Sequence, residues 1–510
     1  MPSQPAVKAT ASSSATAPRP SASSASAAPA PATTLYIGGA WRATVSGETF
    51  EATSPATGAQ IGTLAKGGRE DAHSAIKAAH EAAQAWGRTS PFERAAVLER
   101  IAASIEARKD ELARRLTEDQ GKPLHAEAYG EVEELALYFR MAAADATRIE
   151  GLIPPSVDPA KRVLIYRVPK GVVGIITPWN WPYTMPAELL APALAAGNTV
   201  VWNPATFTSW CSVALAEAVI AAGLPPGVFN LVTGPGSEVG DEIAGDARVG
   251  AVSFVGSTRT GETIARRAAG KEQLLEMGDN GPLVILDDAD IDRAVRGTLT
   301  ACFLNAGQSC TAGERVLVHR AVHDAYVDRL LAAVKTEVRL GDPLDPRTTM
   351  GPLNNERTAE KTERHIRDAV ERGAVLGYGG RRAGGFGSNL FLEPTVLDQV
   401  ADDMAIAREE TFGPVVPITT IDDEGEALAI VEGSGYGLLA SIFTQDLARA
   451  LRFAESARAG WVNINEGTNY WESHLPFGGS AGSGSGLGRV GGRFSIERLT
   501  ELKTIVINLA

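Results

Sequence analysis

Cysteine is scarce: three in 510 residues, Cys211, Cys302 and Cys310. An odd number that small excludes a disulfide framework and points to a reducing compartment, with the cytosol as the default. Long apolar runs are also missing. No stretch approaches the roughly 20 residues that cross a bilayer, so a membrane partner is not expected. Positive charge is short as well, 48 Lys and Arg against 61 Asp and Glu, for a formal net charge of −13. Neither nucleic acid nor an anionic lipid surface is therefore an expected partner. What is present is 44% hydrophobic and 21% charged, the composition of a soluble globular protein long enough for two to four domains.

Residues 1–34 are nearly all Ala, Ser, Pro and Thr, with Lys8 and Arg19 the only charged side chains. They have too little to bury, so a disordered tail is expected. The tail lacks the apolar segment of a secretory signal; its Ser-rich, acid-free character keeps an organellar transit peptide as the alternative. From Leu35 onward, "LYIGGAWRA" and "SPATGAQIG" read as short strands of one β-meander. A helix follows over 70–86, with Ala72, Ala75, Ile76, Ala79, Ala83 and Trp86 on one face. A second opens at Ser90-Pro91-Phe92-Glu93, an N-cap, a first-turn Pro and a capping-box Glu, and is predicted to run to Gly121.

Between Arg162 and Ile285, β-rich runs alternate with Ala-rich helical segments such as Trp210 to Ala222. That alternation predicts βαβ units and a parallel sheet, with ligands at the carboxyl ends of its strands. A second β/α stretch spans 315–464, and "ELKTIVINL" closes the chain as a strand. The boundary between two lobes is placed near Glu276 to Pro282, where glycines interrupt the pattern.

Two turns hint at a nucleotide. Gly234 to Gly240 (GPGSEVG) misses the dinucleotide fingerprint by one residue before its last glycine. Gly256-Ser257-Thr258 ends a strand and enters a helix, where free N–H groups and a hydroxyl would face a phosphate; a plain Ser/Thr cap explains the same residues.

"NAGQSC" at 305–310 resembles the active-site cysteine motif of the NAD(P)-dependent aldehyde dehydrogenase superfamily. Five further signatures follow the family's order: "TPWNWP" at 177–182, "FVGSTRTG" at 254–261, "LLEMGDNGP" at 274–282, "EETFGPV" at 409–415 and "PFGG" at 476–479. Taken singly, Cys310 reads as a packed small side chain, Glu276 as a solvated strand-end acid and Asn180 as a turn residue; it is the ordered set that singles them out.

The resemblance implies an α/β fold: a variant Rossmann cofactor domain (35–276, with a bridging insertion about 153–168), an α/β catalytic domain (277–476) and a C-terminal segment (477–510) contributing to a small β bridging element. A homodimer or homotetramer follows from that element. It implies oxidation of a small-molecule aldehyde to its acid with reduction of NAD or NADP, through a thiohemiacetal and a thioester on Cys310. Asn180 and the Cys310 N–H would hold the oxyanion, and Glu276 would activate water. No metal is implied. The cofactor positions carried over are Thr177, Pro178, Trp179, Asn203, Thr206, Gly236, Gly240, Phe254, Gly256, Ser257, Met277, Gly278, Glu410 and Phe412. Tyr183, Met185, Trp471 and His474 are the candidate aldehyde wall, with packing as the competing role. Cys211 and Cys302 are read as core.

Several positions depart from the family pattern. The usual "KPxExTP" reads Asn203-Pro204-Ala205-Thr206-Phe207-Thr208-Ser209, losing both the lysine and the glutamate near the adenosine ribose. Those losses oppose each other electrostatically, so NAD and NADP both stay open. Asp279 stands for a glycine, Leu189 and Ala481 for lysines. These changes keep two alternatives in view: a non-catalytic homologue with impaired cofactor affinity, and acyl transfer to coenzyme A, against which Glu276 argues.

Overall fold

A computed structural model describes residues 32–510. Most of the tail predicted for 1–34 lies outside the described residues, but order begins three residues earlier than expected: the Ala32 carbonyl accepts the Ala65 N–H at 3.1 Å.

The alternating runs form the predicted parallel sheet. Five parallel strands, Val172–Thr177, Thr199–Pro204, Phe229–Leu231, Val249–Val255 and Glu272–Glu276, make the centre of an eight-stranded sheet. Every residue of Val172–Thr177 and Thr199–Pro204 is buried, because helices cover both faces; hence their near-continuous Val and Ile content. Val172–Thr177 lies between Thr199–Pro204 and Val249–Val255. Successive connections therefore leave it in opposite directions, opening a crevice beyond its carboxyl end.

The second sheet has seven strands. Six are parallel (Gly281–Ile285, Gly313–His319, Thr395–Asp398, Val415–Ile421, Leu439–Phe443 and Trp461–Ile464), and Val375–Tyr378 is an antiparallel edge. Four residues, Met277 to Asn280, carry the chain from the last parallel strand of the first sheet into Gly281–Ile285. Glu276 thus ends a strand of one sheet close to where the other begins, and Cys310 lies three residues before Gly313–His319.

Three expectations need correction. The early strands are two separate hairpins: Leu35–Ile37 with Ala40–Arg42 extends the edge of the first sheet, while Thr49–Thr53 pairs with Gln60–Ala65 in a sheet of its own. The helix from Ser90 breaks at Arg108 (φ −109°, ψ 16°), giving Pro91–Ala107 and Lys109–Gln120. No Gly or Pro marks that break; tertiary bonds hold it, from the Arg108 guanidinium to Glu111, Glu217 and the Ala214 carbonyl. Finally, the C-terminal segment does more than bridge. Gly486–Leu487 pairs antiparallel with Glu272–Glu276, before Thr500–Asn508 pairs with Lys161–Pro169 as a two-stranded ribbon.

Cys211 and Cys302 are buried as expected, their thiols donating to the Thr208 and Gly313 carbonyls. Among the described residues no helix is long and apolar enough to cross a membrane.

The Ser90 cap predicted from sequence is formed: its hydroxyl accepts the Phe92 N–H, and Glu93 accepts the Ser90 N–H at 3.0 Å. Ser90→Ala should lower stability by about 1 kcal/mol, read as a fall in Tm.

Candidate active site

The approach to Cys310 is a turn of reversed hand. Asn305, Ala306 and Gly307 have φ of +52°, +53° and +72°, which costs roughly 1–2 kcal/mol at each non-glycine residue. Side chains on other elements hold it. Glu127 accepts the Asn305 N–H at 3.0 Å. The Asn305 amide donates to the carbonyls of Asn180 (2.8 Å) and Gln308 (3.2 Å), and Gln308 donates back to the Asn305 carbonyl at 2.8 Å. Asn180, just past the carboxyl end of Val172–Thr177, donates one amide hydrogen to the Gln308 carbonyl at 3.1 Å. Trp181 donates to Ser309 at 3.2 Å. Asn180 and Cys310 are thereby brought together by bonds to the two residues before the cysteine.

Glu276 is buried, and neither carboxylate oxygen has a hydrogen-bond partner. Burial, reinforced by Glu188, pushes its pKa well above the usual carboxylate range, against a smaller opposing pull from Arg489. Gly478 of "PFGG" packs on it: at φ +150°, a Cβ there would lie 2.7 Å from Glu276 Oε1. Cys310 is half-buried. Its thiol is raised by burial and then by the charge of Glu276, so the sulfur needs a base before it can attack.

Other acids surround the centre. Glu188 is buried beneath Tyr138, whose hydroxyl donates to it at 3.3 Å; burial, then the charge of Glu134, raises it to about 8. Glu131 accepts the Tyr183 and Thr184 N–H groups and forms a fully buried 2.5 Å ion pair with Lys122, whose ammonium lies 3.7 Å from the Trp181 ring centroid. Trp471 packs 6.5 Å from Trp181 and donates to Glu134 at 3.0 Å.

On the opposite side, the Trp179 ring meets Phe412 edge-to-face at 5.5 Å. Glu410 accepts the Asp279 N–H at 3.3 Å; Gly278 lies so close that a Cβ would stand 2.8 Å from Glu410 Oε1. Burial raises Glu410 to about 6. The helix Thr258–Arg267 begins at Ser257, whose hydroxyl makes no cap bond and reaches Thr260 instead; its first N–H groups are thus open to an anion. Gly256 has room for no Cβ, with Phe254 at 2.5 Å, and Met277 underlies the same helix at Gly261. The arrangement fits a dinucleotide whose phosphates meet this helix and whose ring end reaches Glu410 and Phe412.

Not every carried-over residue faces that cleft. The Asn203 amide is committed to the Val232 and Gly234 carbonyls at 2.9 and 3.3 Å. Gly240 packs against Ile176 and Asn203, and Thr177 accepts the Trp202 indole N–H. Gly236 is exposed, while Pro178 and Thr206 are half-buried. Met185 is buried in the same apolar cluster that Cys310, Trp181 and Trp471 pack against. Tyr183 is fully buried at the start of the helix Thr184–Ala195, its hydroxyl on the Leu112 carbonyl at 3.1 Å, which favours the packing role. His474 is at the exposed surface, 3.5 Å from the Glu472 carboxylate. The sequence reading missed Glu131, Lys122, Glu188 and Gln308; an acid inside an apolar helical pattern was the available signal for Glu131 and Glu188, whereas Lys122 sits between Gly121 and Pro123 outside any helix.

Residues 41–505 match the model of the aldehyde dehydrogenase family. The chain belongs to that family. It is 40% identical over 476 residues to the glutarate-semialdehyde dehydrogenase of Pseudomonas putida, covering 93% of this chain and 97% of that protein. It is equally 40% identical over 475 residues to the NADP(+) succinate-semialdehyde dehydrogenase GabD of Escherichia coli, at the same two coverages. The crystal structure of the Burkholderia pseudomallei succinate-semialdehyde dehydrogenase superposes with a TM-score of 0.90 at 39% identity, covering 93% of this chain and 98% of that one. Betaine aldehyde dehydrogenase from Staphylococcus aureus in complex with NAD+ also scores 0.90, at 34% identity over 94% and 95% of the two chains. This aldehyde dehydrogenase is therefore an NAD(P)-dependent enzyme that oxidises an aldehyde to its carboxylic acid.

The Glu188 value carries a consequence for stability. An unfolded Glu titrates near about 4.3, so between that pH and about 8 the native state binds more protons and stability falls as pH rises. Tm should fall from pH 6 to pH 8, and Glu188→Gln should make that slope shallower.

Proposed function

We propose that Cys310 is the nucleophile, Asn180 the oxyanion donor and Glu276 the base of this aldehyde oxidation. The observation that carries the assignment is the bond from Asn180 to the Gln308 carbonyl, two residues before the cysteine, with the unpaired Glu276 carboxylate as the leading charge felt by its thiol. In this reading Glu276 takes the thiol proton and the sulfur bonds to the aldehyde carbon. The alkoxide is met by the second Asn180 N–H and the Cys310 N–H. A bound nicotinamide supplies the acceptor for the hydride. Glu276, having released the thiol proton to solvent, then removes a proton from water, the hydroxide oxygen bonds to the thioester carbon, the C–S bond breaks to return the Cys310 thiolate, and the acid leaves.

Glu410, Phe412 and Trp179 are proposed to hold the nicotinamide end, and the start of Thr258–Arg267 the phosphates. We assign 35–276 to cofactor binding, 277–476 to catalysis and 477–510 to closing the site and bridging subunits. The ribbon supports association: Leu502, Val506 and Leu509 are exposed on Thr500–Asn508 and just beyond it, at 62%, 57% and 60%, apolar area that a second subunit would cover.

The relatives named for glutarate and succinate semialdehydes act on aldehydes that carry a second, anionic group. Here the acid behind Trp471 is Glu134, and the nearby cation, Lys122, is already paired with Glu131. We propose that this pocket prefers an aldehyde without an anionic tail.

Four measurements test these roles. Cys310→Ala should abolish NAD(P)-dependent turnover, whereas Asn180→Ala should lower kcat by about 100-fold, the cost of one oxyanion donor. Glu276→Gln should slow both thiol activation and thioester hydrolysis, lowering the pre-steady-state burst of reduced nicotinamide together with kcat; a variant that turns over normally refutes the base. Pentanal should exceed succinate semialdehyde in kcat/KM by about tenfold or more, a 1.4 kcal/mol preference; the reverse order rejects the charge argument.

A further inference from the structure

Glu314 sits on Gly313–His319, four residues beyond Cys310, and is buried. Its carboxylate accepts two successive backbone N–H groups, Thr411 at 2.6 Å and Phe412 at 2.7 Å. Phe412 is a non-glycine residue at φ +61°. A conformation of that kind persists where its surroundings over-determine it, and one carboxylate on two adjacent N–H groups fixes both peptide planes together. Neighbouring bonds secure only the flanks: His365 to the Thr411 hydroxyl at 3.0 Å, and Asn280 to the Glu409 carbonyl at 2.9 Å. Packing alone is a poor reason for an acid here. Burial and the nearby Glu410 both oppose its charge, with Lys361 as the offsetting cation.

We propose that Glu314 is a positioning residue for the cofactor, locking Glu410 and the Phe412 ring into the geometry that receives the nicotinamide end and tying that loop to the strand next to Cys310. The inference rests on the cofactor roles proposed above for Glu410 and Phe412. Glu314 touches neither substrate nor dinucleotide; it acts through the loop. A carboxylate suits the task because both its oxygens accept, whereas an amide offers one acceptor and would set its NH2 against the other N–H.

Glu314→Gln, close to isosteric, is the informative variant. Hydrogen exchange on the protein without dinucleotide should show the amides of 409–413 exchanging at least tenfold faster than in the wild type. Calorimetric Kd for NAD or NADP should weaken at least fivefold, with KM for the aldehyde within twofold. Glu314→Ala should go further in the same direction; should it fail to fold, Glu314→Gln carries the test alone. Unchanged exchange with unchanged Kd overturns the proposal. So does an equal loss in both KM values accompanied by a lower Tm, which marks a general structural role. Wild-type protein that binds dinucleotide yet oxidises no aldehyde sinks the catalytic roles proposed above and leaves the Kd comparison valid; wild-type protein that binds neither dinucleotide overturns both.

Discussion

The position of Cys310, the proposed nucleophile, depends on a backbone turn that runs against the normal hand. Asn305, Ala306 and Gly307 take left-handed angles in succession. Asn305 and Gln308 bond each other across the turn, and the rest of the compensation comes from outside it, from Glu127 on the Asn305 N–H and from Asn180 on the Gln308 carbonyl. Asn180 belongs to the first sheet and Gln308 leads into the second, so the bond that holds the turn also joins the two halves of the site. The same amide is the proposed oxyanion donor, which makes fold and chemistry share one side chain.

Around that turn the protein buries acids at a density that stability alone does not explain. Glu276 has no partner for either oxygen, Glu188 is raised to about 8, and Asp279 and Glu410 to about 6. An isolated buried carboxylate is costly in its ionised form, and burial raises the proton affinity of each of these groups. Lys122 and Glu131 show the other response: with both side chains at 0% exposure and 2.5 Å apart, each charge is offset by the other, and the pair supports Trp181 and the start of Thr184–Ala195.

The departures from the family pattern are built into the structure rather than left as defects. Asp279 is not among the positive-φ residues, so its side chain brings no left-handed strain. Its carboxylate accepts the Leu438 and Leu439 N–H groups at 3.3 and 3.2 Å, anchoring the start of Leu439–Phe443. Asn280 ties the loop before Glu410, and Asn203 ties the Gly234 turn. Asp279, Asn280 and Asn203 have thus each found local hydrogen-bond partners, and the cofactor side keeps its helix start and its aromatic pair.

The sequence by itself determined the α/β class, the parallel strands of the first sheet, the Ser90 cap and the family, because periodicity, capping chemistry and ordered motifs are local properties of the chain. It did not reach what depends on partners distant in sequence. The break at Arg108 rests on Glu217 and Ala214, about a hundred residues away. Tyr183 lies within two residues of the "TPWNWP" motif, yet its hydroxyl turns to Leu112. Lys122, Glu188 and Glu314 look like ordinary loop, helix and strand charges until the fold buries them. Burial, and with it the proton affinity and hydrogen-bond demand of each acid, is set by what packs around a residue, and only the tertiary structure decided that.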